Sequence, residues 1–362
     1  IKSLQGARAP LRLQGAKPKK DESTYVTTIA AALPHLCALH VTSCRVKQVP
    51  AEVKLLSELE VLGLEDNQIR ILPQDLALLT KLERIFLSRN QITVFPEVLL
   101  QLPALTVLDL SHNVLTSIPE SLATHCKNLR ELYLSHSSFG EFPMAVFNLR
   151  LRVLDLGYCK IGTTLPPAEE WSRTLRKTLQ RLVLAGNGLT SLAGIEVLKA
   201  LEHLDVSYNA LAAFPSNELA NCAPILRTLN LAHNKIQIIP ANPTSRMDSL
   251  EILKLNDNKL VIVPKYVAYL RSLKELYLHE NQIQKLTKAI DHCTQLEKMT
   301  LEYNRLTRIP TTLRNLERLS YLTLHGNKFT SVPEALYHPK LLLHLFTLTL
   351  DNEELPNEVR AG

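Results

Sequence analysis

The 362-residue chain is 46% hydrophobic, 21% charged and 5% aromatic. That composition supports a large buried core and excludes wholesale disorder, and no apolar run reaches the roughly 18–20 residues of a membrane-spanning helix. The formal charge of +6 is concentrated at one end, where Lys2, Arg8, Arg12, Lys17, Lys19 and Lys20 occur without an acid in the first 20 residues. Setting those six aside leaves 35 basic residues against 35 acidic ones, so the rest of the chain is formally neutral.

Residues 1–35 read as a basic extension. An acid-free cationic arm suits an acidic protein surface or RNA. It also resembles the end of a mitochondrial presequence, although Gly6, Pro10, Gly15 and Pro18 weaken any amphipathic helix. From residue 36 the chain repeats itself. LCALHVTSCRV (36–46) is a degenerate first copy. LEVLGLEDNQI (59–69), LERIFLSRNQI (82–92) and LTVLDLSHNVL (105–115) then follow at 23-residue intervals. Further copies run through LRELYLSHSSF (129–139), LRVLDLGYCKI (151–161), LEHLDVSYNAL (201–211) and LKELYLHENQI (273–283) to a degenerate last one, LFTLTLDNEEL (345–355). Fourteen copies in register make a repeat architecture.

Within each copy the central L-x-L alternates with period two, which predicts a short strand with leucines facing inward. Position nine is Asn in ten copies; Cys44, Ser137, Cys159 and Glu353 replace it in the others. An inward amide both donates and accepts, so it can satisfy backbone groups where the chain turns beneath the sheet. Six residues later a proline falls in ten copies, Pro50, Pro73 and Pro96 among them. Its fixed φ suits the start of a short return helix. One interval is longer, and its extra residues (162–177) hold the single tryptophan, Trp171. Trp171 either packs on its own loop or hooks a partner.

The pattern L-x-x-L-x-L-x-x-N-x-L resembles the leucine-rich-repeat family. Its 23-residue, proline-punctuated form is similar to the intracellular class of Ras-group scaffolds, adenylate cyclase arms and repeat-bearing protein phosphatases. The resemblance implies an α/β solenoid, a curved horseshoe of about 14 repeats. A parallel sheet would line the concave face, with short helices or turns on the convex one. Residues 36–356 would form this domain, its degenerate ends acting as caps, and 357–362 a tail.

On the sheet's outward positions, taken as three, five, seven and eight, fall six of the ten tyrosines and seven of the twelve histidines. The densest patch is Phe86, Arg89, Asp109, His112, Tyr133, His136, Asp155 and Tyr158, continuing with Asp205, Tyr208 and His233. Exposed rings on a rigid frame suit a protein partner, because tyrosine supplies apolar area with a polar tip at little entropy cost. Ordinary cross-strand stacking would place the same residues there. Asp109, His112 and His136 could be read as metal ligands, but Tyr neighbours stand where further ligand-orienting groups would be needed. We therefore expect no metal, no cofactor and no catalytic residue. None of the usual nucleotide, hydrolase or zincin motifs occurs.

The six cysteines are scattered, without the terminal clusters of disulfide-bonded caps, which fits a reducing compartment. The expectation is a non-enzymatic, cytoplasmic scaffold, a subunit of a larger assembly that binds protein on its concave face. The alternatives are a structural subunit of a ribonucleoprotein such as an organellar ribosome, in the mitochondrial matrix and anchored by the basic arm, and the regulatory arm of a signalling protein.

Overall fold

A computed structural model describes residues 11–15, 24–240, 246–263 and 265–351. The chain divides into two compact units, one of residues 1–162 with 170–182 and one of 163–169 with 183–362.

In the first unit the strands are β1 (Leu11–Gln14), β2 (Ala38–Thr42), β3 (Val61–Gly63), β4 (Arg84–Phe86), β5 (Val107–Asp109), β6 (Glu131–Tyr133) and β7 (Val153–Asp155). Each pairs in parallel with the next, in sequence order. The unit boundary falls within β8 (Arg181–Val183). The second unit has β9 (His203–Asp205), β10 (Thr228–Asn230), β11 (Ile252–Lys254), β12 (Glu275–Tyr277), β13 (Lys298–Thr300), β14 (Tyr321–Thr323) and β15 (Thr347–Thr349). These are also parallel and consecutive. The expected α/β repeat solenoid is therefore present in each unit.

The register locks because a one-residue slip would turn every leucine outward. Position four stays in line from strand to strand, for example Leu62 beside Ile85 beside Leu108. Those side chains are at most 1% exposed. The return segments are mostly 3-10 turns such as Ala51–Leu55, Gln74–Leu78 and Glu97–Gln101. The punctuating proline is the extended residue before each turn, not its first helical one. Its carbonyl receives the first turn bond, from Val53, Leu76 and Leu99 to Pro50, Pro73 and Pro96.

The asparagine ladder does what its chemistry allows. Asn90 accepts from the Ile69 N–H at 2.9 Å and donates to the Leu64 and Leu87 carbonyls at 2.9 and 3.0 Å. Asn113 repeats this one turn on, with Ile92, Leu87 and Leu110. Cys159 donates to the Leu134 and Gly157 carbonyls. The Ser137 hydroxyl is buried without a hydrogen-bond partner. After Cys44 and Cys159 the following residues, Arg45 and Lys160, turn left-handed, at φ 59° and 57°.

Several expectations meet particular outcomes at the ends and in the insertion. Within the 1–35 segment, β1 extends the sheet and the helix α1 (Thr24–Ala32) buries Val26, Ile29, Ala30 and the following Leu33, at helical spacing, beside the Ala51–Leu55 turn. Arg12 lies in β1, level with His40. The other tail residues assigned to an acidic partner, Lys2, Arg8, Lys17, Lys19 and Lys20, lie outside the described residues. At the far end Leu348 in β15 and Leu350 stay half-buried, and Phe346 is 93% exposed. Trp171 is 1% exposed, with its ring 4.9 Å from Phe147 and 5.8 Å from Phe142. The partner-hook reading of Trp171 is thereby corrected, since a ring buried in the core presents nothing to a partner. All six cysteines are unbridged. Burial pushes Cys126 and Cys222 up to about 11 and Cys159 and Cys293 up to about 12, which keeps these thiols protonated and unreactive.

Candidate protein-binding surface

The strands are three residues long in most repeats, and their outward side chains come from positions three and five. Position eight is not part of the strand. It forms a second row just beyond it, and in that row the backbone is left-handed. Ser43, Asp66, Arg89, His112, His136 and Tyr158 in the first unit all have φ between 52° and 57°. Tyr208, His233, Asp257, Glu280 and Tyr303 in the second lie between 51° and 56°. Such a conformation costs an L-residue roughly 1–2 kcal/mol. It is held where position-eight N–H groups donate to the position-seven carbonyl of the next repeat, as from Arg89 to Ser111, His112 to Ser135 and His136 to Gly157. The expectation that position eight is an outward position of the sheet is thus corrected. Asp109 ends β5 and His112 lies in the turn after it.

This regular backbone places side chains in file. The His112 and His136 rings lie 4.0 Å apart and 12° from parallel. Tyr158 continues the stack at 4.6 Å and 11°, and Arg89 precedes it in the same row. In the second unit Tyr208 stacks on His233 at 3.9 Å, and His233 Nδ1 meets the Asp257 carboxylate at 2.5 Å. Rings stacked face to face aim their nitrogens along parallel planes rather than at one point, so His112 and His136 do not converge as metal ligands.

The aspartates of the predicted patch have local duties. Asp109 accepts from both the N–H and the hydroxyl of Ser111, at 2.9 and 2.6 Å. Asp205 does the same with Ser207, and Asp155 receives the Gly157 N–H. These are Asx turns that shape the bend from strand into the left-handed row. Burial raises the Asp155 carboxyl above the usual carboxylate range, opposed by the Gly157 N–H, the Ser135 hydroxyl and Arg181. Tyr133 donates to Glu131 at 2.8 Å. Burial, then that bond, push its hydroxyl well up, so it stays neutral. Phe86 and Tyr133 form part of the wall of a shallow hollow beside the ring row. Phe86, Arg89, Asp109, His112, Tyr133, His136, Asp155 and Tyr158 therefore come together on one face of the first unit. Asp205, Tyr208 and His233 belong to the second.

Burial, then the charges of His136 and Arg89, hold the His112 imidazole below its usual range, against the opposite pull of Asp109 and Asp155. The unfolded chain then binds that proton at higher pH than the folded one. The stability concerned is present above about pH 6.5, the unfolded value, and is lost as pH falls through the folded value. A single site contributes at most about 1.4 kcal/mol per pH unit. In urea titrations of the first unit's transition, His112→Gln should flatten the loss of stability between about pH 7 and 5. An unaltered slope would show that the stack carries no proton linkage.

Other groupings escaped the sequence reading. Lys298 lies 4.9 Å from the Tyr277 ring centre and 4.6 Å from that of Tyr321, and Lys254 lies 5.4 Å from Tyr277. These cation–π contacts join neighbouring strands, two of them between residues at the same repeat position (Lys254 with Tyr277, Lys298 with Tyr321) and one between positions three and five (Lys298 with Tyr277). The signal was present as Lys and Tyr alternating between adjacent columns. Arg130 and Arg152, beside the first unit's hollow, sit at position two, outside the outward columns, and Arg84 sits at position three, in an outward column but not in the predicted patch.

Known proteins resemble this arrangement. The sequence profile of a family described as leucine rich repeat matches residues 34–92, 87–139, 103–161, 248–306 and 271–329. Human lumican is 33% identical over 135 residues, a match that spans 37% of this chain and 37% of lumican. A leucine-rich-repeat protein of Leptospira interrogans has a solved structure that superposes with a TM-score of 0.81 at 30% identity, covering 96% of this chain and 85% of that one. The Drosophila Toll–Spatzle complex contains a chain that superposes with a TM-score of 0.66 at 19% identity, over 96% of this chain and 51% of that one. Among the described residues no helix is long and apolar enough to cross a membrane.

Proposed function

The chain belongs to the leucine-rich-repeat family, a fold typically used for protein–protein interaction, and from that premise we propose a non-enzymatic scaffold that presents the open sheet face of its first unit to a protein partner. The observation that carries this reading is the preordered row of Arg89, His112, His136 and Tyr158. The rings are already stacked on a backbone fixed by repeat-to-repeat hydrogen bonds, so a partner would order little on docking, and that keeps the entropy cost of association small. Phe86 and Tyr133 add half-buried ring area one row below. The Toll chain, solved with Spatzle, is an example of this fold engaging a protein. The scaffold works as a subunit of a larger assembly in a reducing compartment such as the cytoplasm, a placement supported by six unbridged cysteines.

Affinity purification with quantitative mass spectrometry tests the reading. Against the wild-type chain, the variant His112→Ala/His136→Ala/Tyr158→Ala should lose a specific partner by about tenfold or more, since clustered ring anchors are typically worth a few kcal/mol in an interface. Its thermal midpoint should stay near wild type, because these side chains lie outside the core. An unchanged partner set from a folded variant would remove the open face of the first unit as the binding surface.

A further inference from the structure

We propose that the hollow spanning β4 to β7 on the first unit receives carboxylate side chains, and so selects a partner segment in which an acidic residue neighbours an apolar one. This rests on the open-face reading above and specifies what that face recognises. The hollow encloses about 480 Å³, and its lining includes Arg84, Phe86, Val107, Tyr133 and Arg152. From β4 to β7 it extends three strand spacings, roughly 14 Å, enough for about four residues of an extended peptide.

The argument turns on which charges are already answered. Glu131 accepts the Tyr133 hydroxyl at 2.8 Å, and Asp109 is engaged by Ser111. Arg130 donates to the carbonyls of Lys127 and Leu129 at 3.1 and 3.0 Å. Arg84 and Arg152 are exposed, and neither has a side-chain hydrogen bond or ion pair among the described residues. Of the lining acids, only the exposed Glu83 is similarly uncommitted among them. The second unit supplies an internal control. There the position-two cations alternate with acids, and Arg227 meets Glu202 at 3.5 Å and Glu251 at 2.7 Å, while Lys274 meets Glu251 at 2.7 Å. In the first unit Arg152 stands in that column between Arg130 and Gln180, and Arg84 stands in its own between Val61 and Val107. The fold neutralises its rim cations where repeats alternate in charge, and leaves these two open.

A guanidinium fork matches a carboxylate in two parallel hydrogen bonds. With the Phe86 and Tyr133 rings lining the same hollow as the two arginines, an acidic side chain can be held at either arginine while an apolar neighbour lies on the rings. Electrostatic attraction to the arginines would weaken as salt rises.

The test uses three fluorescein-labelled, end-blocked peptides in Gly/Ser flanks: one with a Glu-Phe-Glu core, its Lys-Phe-Lys counterpart, and one with phosphoserine in place of both glutamates. Anisotropy titration of the full chain should show binding of the Glu-Phe-Glu peptide, weakening with salt. Arg84→Glu/Arg152→Glu should lower that affinity at least tenfold and raise that for Lys-Phe-Lys, while Arg227→Gln in the second unit leaves both unchanged. Equal binding of the two charge-opposite peptides, an unaltered affinity in the folded double variant, or binding of the phosphopeptide alone would overturn the carboxylate assignment. So would a wild-type chain that ignores the Glu-Phe-Glu peptide while the triple ring variant still loses its protein partner; the open-face reading would then survive and this one would not. The reverse pattern, peptide binding lost in the double variant and the partner set unmoved in the triple variant, would keep the hollow and discard the scaffold reading.

Discussion

Asn90→Ala should destabilise the first unit by about 3 kcal/mol or more. The substitution removes an acceptor from the buried Ile69 N–H and donors from the Leu64 and Leu87 carbonyls. Asn90 itself is 8% exposed, so bulk water does not replace what is lost. A buried backbone group left without its partner costs roughly 1–3 kcal/mol, and here up to three are affected at once. Asn90→Asp makes the comparison sharper. It keeps the acceptor for Ile69 and removes both donors, while adding a charge in the core. Urea denaturation followed by circular dichroism reads both variants. Because each repeat contacts mainly its neighbours, hydrogen exchange should accelerate first in repeats 59–69 and 82–92. A loss under about 1 kcal/mol would mean that the ladder is dispensable at this point and that the strands alone hold the register.

The second large effect is expected at Trp171. It is 1% exposed and sits against Phe142 and Phe147. Trp171→Ala should cost about 3–5 kcal/mol, the usual range for emptying a large aromatic site in a core. Trp171→Phe should recover most of that, because it refills the ring plane and leaves a smaller void. As the single tryptophan, it also reports on itself. Its native fluorescence should be blue-shifted and resist quenching by iodide. Had it been a hook for a partner, Trp171→Ala would spare stability and reduce binding. A variant with wild-type stability and quenchable native fluorescence would contradict the burial described here.

Much of this fold was legible because its signal is repeated. A single L-x-L means little. The same spacing from residue 59 onward fixes strand direction, inward face and the partner of each strand. The asparagine at position nine could be given its role from donor and acceptor counting alone. Position eight could not. Most of its residues are Arg, His, Tyr, Asp or Glu, whose side chains do not announce a left-handed backbone; only Gly186 and Gly326 in the same column hinted at it, and the row was read as part of the strand. What sets the conformation there is the position-seven carbonyl of the next repeat, which is a long-range fact. The aspartates misled in a related way. Asp109 and Asp205 looked like groups offered to a partner, yet each binds the serine two residues on. The recurring D-L-S and D-V-S would have been the clue. Arg84 and Arg152 were passed over for the opposite reason. Their importance lies in the acids missing beside them in space, and a column of letters does not display an unanswered charge.

The left-handed row has a consequence for how such a surface can change. At every one of its positions glycine would relieve backbone strain, as Gly186 and Gly326 illustrate at φ 68°. A glycine there would also erase a ring or a charge from the face. Recognition and heat resistance are therefore opposed residue by residue along this edge. A lineage selected for endurance alone would drift toward a bald rim. One that keeps Arg89, His112, His136 and Tyr158 carries roughly 1–2 kcal/mol of backbone cost at each, and holds its stability through the leucine core and the asparagine ladder beneath.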